Sequence, residues 1–372
     1  MTVATPERRT ALYEEHVALG ARLVPFAGFQ MPLQYASILK EHDAVRQRAG
    51  LFDLSHMAQF ELFGEEVGPW ADLLTVNNVA NMKVWQARYN LFCNEHGGTR
   101  DDVLFYRRHD RWLLVANASN GEKIWNLLSS RRTSGVTLEN RHGAAALIAV
   151  QGPRALEILT PLASTFDAPS LAEMKYYTCT RAAVAGIEAL VARTGYTGED
   201  GFELFVEGAD AAALWRALLD EGKPQGLEPC GLGARDVLRL EAGMPLYGHE
   251  LTEAITPLAA GQRWAVKLSK PEFTGRAALL AQAERDDFDR VAGTILEGKV
   301  PARQGYAVYR GDERVGEVKS ASIAPSLGNR QVATVYIRKD AATEGTQLGI
   351  DVRGTRQGAQ VVPLPFYSRR KT

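Results

Sequence analysis

Six short segments late in the chain, at 291–297, 305–309, 313–318, 331–336, 347–352 and 357–362, alternate apolar and polar residues between turn glycines. A period of two sends successive side chains to opposite faces, which makes each segment a half-buried strand. Many short strands in close succession cannot all leave their edges exposed, and a small barrel solves the problem by closure. The pattern therefore predicts an all-β module over 286–372, set off from the rest at the charged stretch 286–290.

The preceding 285 residues mix both periodicities. Helices are predicted over 12–20, 37–49, 67–74, 122–130, 154–162, 209–221, 234–242 and 275–284. Strands are predicted over 51–53, 58–63, 88–93, 103–107, 112–115, 144–150, 184–192 and 202–206, with an extended, turn-rich stretch at 22–32. Ser37 is placed to cap its helix and Gly50 to stop it, and Pro153 suits a first helical turn. A chain of 372 residues has room for two or three domains. The fold class expected is α+β with a C-terminal β-barrel.

Net charge is −1 and no basic run is longer than 369–371, so nothing argues for nucleic acid. No apolar stretch approaches the roughly 20 residues of a membrane helix, and the first residues lack the apolar core of a secretion signal. Three widely spaced cysteines (93, 179, 230) read as reduced thiols, and the expected compartment is the cytoplasm. The seven histidines show no close ligand spacing and there is no CxxC pair, so no metal is expected. The nucleophile elbow, the phosphate loop and the dinucleotide fingerprint are all missing.

Four segments remain that can carry chemistry. In PCGLGARDVLRLEAGMPLYGHEL (229–251), Gly231 and Gly233 are expected to break the backbone just before a short helix that Gly243 and Pro245 end. Arg235, Asp236, Arg239 and Glu241 are interleaved on it with Val237, Leu238 and Leu240, too closely for one solvated face. Some of these charges must point inward, where an arginine needs an acidic or ligand partner. An internal ion-pair frame and a ligand-facing Arg235 both satisfy that. In EHGGTRDD (95–102), two glycines precede paired aspartates at a strand mouth. A hairpin turn would use the same residues, but Asp101 and Asp102, being adjacent on a strand, cannot face one site. RTGYTGEDGFE (193–203) sets Tyr196 and Glu203 in a glycine-rich loop between strands, suited to a flat, hydrogen-bonding ligand or simply to a tight turn. In SHM (55–57), His56 can be a base or ligand, although a lone histidine is more often a satisfied structural residue.

Taken together and in order, these segments resemble the T-protein family of the glycine cleavage system. The resemblance rests on 12–57, GGTRDDVLFY (97–106), AVQGPRALEIL (149–159), RTGYTGEDGFE (193–203), 229–251, TPLAAG (256–261) and SASIAPSLGNRQVATVYI (320–337). It implies a three-domain folate-binding architecture: a region over 1–285 holding two intertwined α+β domains, the second about 53–140, followed by the barrel at 286–372. It implies transfer of a methylene group from the aminomethyl-lipoyl arm of the H-protein to tetrahydrofolate, the co-substrate, with release of ammonia. Asp101 matches the family's catalytic aspartate, which steadies the cationic, iminium-like carbon as the folate nitrogen attacks. Glu203 matches the carboxylate that holds the pterin's amino edge, and Arg235 a folate-contacting arginine. Met57, Tyr89, Asn117 and Tyr196 match positions lining the pterin pocket. Arg235 is expected to have internal acidic partners, Asp236 or Glu203 among them. Thr99-Arg100 stand where the family usually has aliphatic residues, and Gln262-Arg263-Trp264 where it often has Leu-Gly-Trp.

The same architecture serves tetrahydrofolate-dependent demethylases of small methylated compounds, the alternative reading, and non-catalytic folate-binding relatives. This chain has no flavin domain, and LRLEAGMPLYGHEL (238–251) stands where those binding relatives carry a cysteine-containing motif.

Overall fold

The computed structural model describes residues 7–166 and 170–369. Residues 370–372, and with them most of the terminal basic run, lie outside the described residues. The fold is α+β with a closed C-terminal barrel. Packing divides the chain into two compact units. One comprises the residues up to Val67, Met82–Arg88 and Leu104–Asp236; the other comprises Gly68–Asn81, Tyr89–Val103 and the residues from Val237 onward.

The first unit is built on a seven-stranded sheet ordered Ala163–Thr165, Cys179–Val184, Ile187–Ala192, Gly201–Glu207, Ala145–Gln151, Ala49–Asp53, Leu227–Pro229. Ala145–Gln151 is almost entirely apolar and buried, as a strand covered on both faces must be. It pairs antiparallel with Gly201–Glu207, setting Ala149 opposite Glu203 and Gln151 opposite Gly201. Leu214, Trp215 and Leu218 of helix Ala211–Gly222 and Ile158 of helix Ala155–Leu159 join Ile148, Val150, Phe202 and Leu204 in one core. Burying each large side chain contributes about 1.5–3 kcal/mol, so this cluster stabilises the unit strongly. Helix Ile38–Gln47 begins as expected: the Lys40 amide donates to the Ser37 hydroxyl at 3.3 Å. The stretch 22–32 becomes a hairpin of Arg22–Phe26 and Phe29–Gln34.

Three local expectations are corrected. The span 184–192 is not one strand but a hairpin, Cys179–Val184 and Ile187–Ala192, turning at Ala185 and Gly186 with φ of 52° and 79°. Only Gly186 marks that turn; the polar residues that usually announce one are missing. The strand that carries Asp101 and Asp102 starts at Thr99, not at 103, because the turn closes within 94–98. Asn94 accepts from the His96 and Gly98 amides through its side chain, and the Gly97 amide donates to its carbonyl. Helix Leu232–Glu241 starts before Gly233. A Cβ on Gly231 or Gly233 would stand within 3.0 Å of Leu33 or Ile38, so these glycines allow close packing where a backbone break was expected. The other end is as predicted. Gly243 takes φ of 66°, its amide donates to Leu240 O and that of Met244 to Arg239 O, closing a Schellman motif.

In the second unit, Arg290–Leu296, Arg330–Ile337, Glu313–Ala324, Ala307–Arg310, Gln347–Val352 and Thr355–Val362 close into a six-stranded barrel in that order. The first and last of these strands pair antiparallel. Val308, Val318, Val335, Ile337 and Ile350 fill it. A second cluster gathers Val76, Leu91, Leu251, Ala265 and Leu279. Strands Ala87–Cys93 and Thr99–Arg107 and helix Leu232–Glu241 each divide their residues between the two units.

Candidate functional site

Among the residues singled out in the sequence, Glu203, Tyr196, Arg235, Asn117 and Met57 belong to the first unit, Asp101 and Tyr89 to the second. In the first, the loop after strand Ile187–Ala192 carries Tyr196 and leads into Gly201–Glu207, where Glu203 is buried. The Glu203 carboxylate accepts from the Tyr106 hydroxyl at 3.1 Å and from the Thr194 hydroxyl at 2.5 Å. Both donors leave lone pairs on a carboxylate that can accept from a ligand's N–H groups. Burial, and then the neighbouring Glu203 charge, push the Tyr106 phenol well above its usual range, so it stays a donor. The Arg235 guanidinium lies over the Tyr196 ring at 4.6 Å. A guanidinium over an aromatic face is held by the ring's quadrupole while its N–H groups remain hydrogen-bond donors. The loop is braced by ion pairs: Arg193 to Asp200 and Arg46 to Glu199, the latter at 2.9 Å and nearly dry.

The four charges of helix Leu232–Glu241 separate as an inward-facing set should. Asp236 is exposed and Arg235 half-buried, while Arg239 and Glu241 are buried. Arg239 pairs with Glu250 at 3.1 Å and donates to Ser320 Oγ at 2.7 Å, and Glu241 accepts from the Ser326 hydroxyl at 2.7 Å. The ion-pair frame is real, and its acid is Glu250, from the end of the same motif.

In the second unit, strand Thr99–Arg107 alternates buried and half-buried residues from its start. Asp101 is buried and Asp102 is not, so the pair divides between the two faces as anticipated. Thr99 anchors the strand, its amide donating to Thr252 O at 2.9 Å and Ile255 O at 3.1 Å. The Tyr89 hydroxyl donates to Asp102 at 3.1 Å, and its ring stacks on Trp264, with centroids 5.4 Å apart. Trp264 itself is largely exposed.

Met57 and Asn117 are both half-buried. Met57 closes a turn onto Leu54 O, and Asn117 follows strand Trp112–Ala116. His56 is buried; burial foremost, against Asp53 and with Arg235 and His142, holds its imidazole down to about 4. It is a neutral ring near neutral pH, not a second cation beside Arg235. Among the described residues, no group of three His, Cys, Asp or Glu side chains could hold a metal ion, and no helix is long and apolar enough to cross a membrane. The three cysteines are free and buried.

Sequence reasoning did not find Tyr106, Thr194 or Trp264 as partners of these residues. Thr194 lies inside RTGYTGEDGFE, Tyr106 inside GGTRDDVLFY and Trp264 just after TPLAAG, but nothing local pairs them with Glu203 or Tyr89. Tyr106 lies 97 positions from Glu203, and only the fold shows them to be neighbours.

Comparison with known proteins spans nearly the whole chain. The family described as the GCVT N-terminal domain matches residues 12–270, and the glycine cleavage T-protein C-terminal barrel domain matches 290–368. The aminomethyltransferase of Streptomyces coelicolor is 47% identical over 99% of this chain and 100% of its own. That of Anoxybacillus flavithermus is 43% identical over 98% and 100%. The crystal structure of glycine cleavage system aminomethyltransferase T from Bartonella henselae superposes with a TM-score of 0.89 at 32% identity, covering 98% of this chain and 99% of that one.

Proposed function

Because the chain belongs to the glycine cleavage T-protein family, we propose that it transfers a methylene group from the aminomethyl-lipoyl arm of an H-protein to tetrahydrofolate. The carbon–sulfur and carbon–nitrogen bonds of the aminomethyl group break, two bonds form to folate nitrogens, and ammonia and the dihydrolipoyl arm leave. The observation that carries this reading is similarity to aminomethyltransferases from end to end, barrel included. The same full-length similarity does not favour the demethylase alternative.

The residues suit the parts assigned to them. Glu203, buried and held by two neutral hydroxyl donors, takes the amino edge of the pterin. Arg235, over the Tyr196 ring, contacts folate as a donor. Met57, Asn117 and Tyr89 add pocket surface. Asp101 steadies positive charge at the migrating carbon, so no strong base is required of it. Free, buried cysteines agree with a reducing compartment, the cytoplasm.

The test is ammonia release from aminomethyl-loaded H-protein with and without tetrahydrofolate. Release that depends on tetrahydrofolate, with methylene-tetrahydrofolate formed in step, is expected. Tight folate binding without release would make the protein a binding protein; one-carbon transfer from a methylated small molecule would make it a demethylase. For the site, Glu203→Gln is expected to weaken tetrahydrofolate binding about 10–30-fold by calorimetry, the cost of exchanging a charge-assisted pair for a neutral one. Unaltered affinity would remove Glu203 from the pterin edge.

A further inference from the structure

Gln151 ends Ala145–Gln151, an inner strand of the first unit's sheet, and is buried. Its side chain does not point to water, and no reacting role is assigned to it. Both ends of its amide are used by one loop. Nε2 donates to Thr194 O at 3.0 Å, and Oε1 accepts from the Thr197 hydroxyl at 3.0 Å. The amide thus brackets the four residues 194–197, with Tyr196 among them. Thr194, one of the two residues it grips, also donates its hydroxyl to Glu203.

Two glycines of RTGYTGEDGFE, Gly195 and Gly201, follow from this amide. A Cβ on Gly195 or on Gly201 would stand within 3.0 Å of Gln151 side-chain atoms, a separation that real Cβ atoms do not show. Neither glycine is required by a positive φ. Both are needed because the loop is folded directly against the amide. Arg46 holds the other side of the turn through Thr197 O at 2.7 Å and Glu199. The ring that meets the Arg235 guanidinium is therefore placed by a buried template.

We propose that Gln151 is a positioning residue for the folate-holding loop: it fixes Tyr196 under Arg235 and, through Thr194, orients Glu203. The inference rests on the tetrahydrofolate reading above. It predicts a defect in folate capture with little change in the bond-making step, since Asp101 is not among the residues Gln151 holds.

The experiment measures steady-state ammonia release against tetrahydrofolate concentration, with loaded H-protein in excess. Gln151→Leu keeps the side chain's approximate volume and removes both hydrogen bonds. It is expected to raise KM for tetrahydrofolate about tenfold, the effect of two neutral hydrogen bonds, with kcat largely kept. Thr197→Val removes one of those bonds from the loop's side, together with the Glu199 amide's bond to the same hydroxyl at 3.3 Å, and leaves the sheet untouched, so it serves even where Gln151→Leu fails to fold. It is expected to raise KM about threefold. Combining Gln151→Leu with Tyr196→Ala should add little to Tyr196→Ala alone, because the ring that Gln151 positions is then gone. Unchanged KM in a folded Gln151→Leu or in Thr197→Val, a fall confined to kcat, or full additivity with Tyr196→Ala would overturn the proposal. A wild-type enzyme that shows no saturable dependence on tetrahydrofolate would instead overturn the functional reading itself.

Discussion

Asp101→Asn is expected to lower the rate of tetrahydrofolate-dependent ammonia release about 10²–10³-fold, the usual effect of removing one preorganised electrostatic group, while leaving tetrahydrofolate affinity little changed. The substitution is close to isosteric, and the start of its strand is held by contacts that do not involve the carboxylate. Asp101 sits two residues into a strand whose first residue, Thr99, is tied by backbone and hydroxyl to Ile255 O and by backbone to Thr252 O. The start of the strand therefore stays in place, and the change falls on the carboxylate itself. Binding energy that falls equally on ground and transition states alters KM, whereas an interaction used only as positive charge develops alters kcat. Single-turnover release from loaded H-protein at saturating tetrahydrofolate separates the two. Asp102→Asn is the internal control, because Asp102 lies on the other face of the strand and accepts from Tyr89. If Asp101→Asn turns over at the wild-type rate, or if the two variants behave alike, Asp101 does not hold the migrating carbon.

What could be read before the structure, and what could not, divides along physical lines. The barrel was legible because its signal is local: a two-residue period and turn glycines, repeated six times, need no information from elsewhere. The cap at Ser37 and the stop at Gly243 were legible for the same reason. The hairpin at 179–192 was not, since its turn is Ala185-Gly186 and one glycine in an apolar run looks like continued strand. Gly233 misled in the opposite sense: it resembles a break, but its missing side chain admits Ile38. At the candidate site, residue types and their order were visible, and the alternation at 101–102 correctly separated the two aspartates. The partners were hidden. Tyr106 reaches Glu203 from a strand of a different sheet, and Gln151 reaches Thr194 and Thr197 from another strand. Neither has a sequence period, because tertiary packing alone brings them near.

Arg239→Met is expected to destabilise the protein by about 3–5 kcal/mol at neutral pH, the cost of stranding one charge of a buried pair. Arg239 and Glu250 are 3.1 Å apart and almost completely withdrawn from water. Burial alone would raise the Glu250 carboxyl. Arg239 first, with the Thr334 hydroxyl, the Leu246 amide and Ser320, outweighs that and holds it below the ordinary carboxylate range. In the wild type the unfolded chain therefore binds this proton more readily. The pair's contribution is present above the unfolded value of about 4.3 and is lost as pH falls through the lower folded value. Without Arg239 the sign reverses. Burial then lifts the folded carboxyl above 4.3 or so, and stability is lost as pH rises through that range. The gap between wild type and variant should thus be widest near pH 7 and close as the solution is acidified. Denaturant titrations at pH 7 and near pH 4.5 measure it directly. A second substitution, Glu250→Gln, in the Arg239→Met background removes the stranded charge and should recover much of the loss at pH 7. A gap of equal size at both pH values, with no recovery in the double variant, would mean that Arg239 acts by filling space, and that the charges buried beneath helix Leu232–Glu241 are not what anchors it.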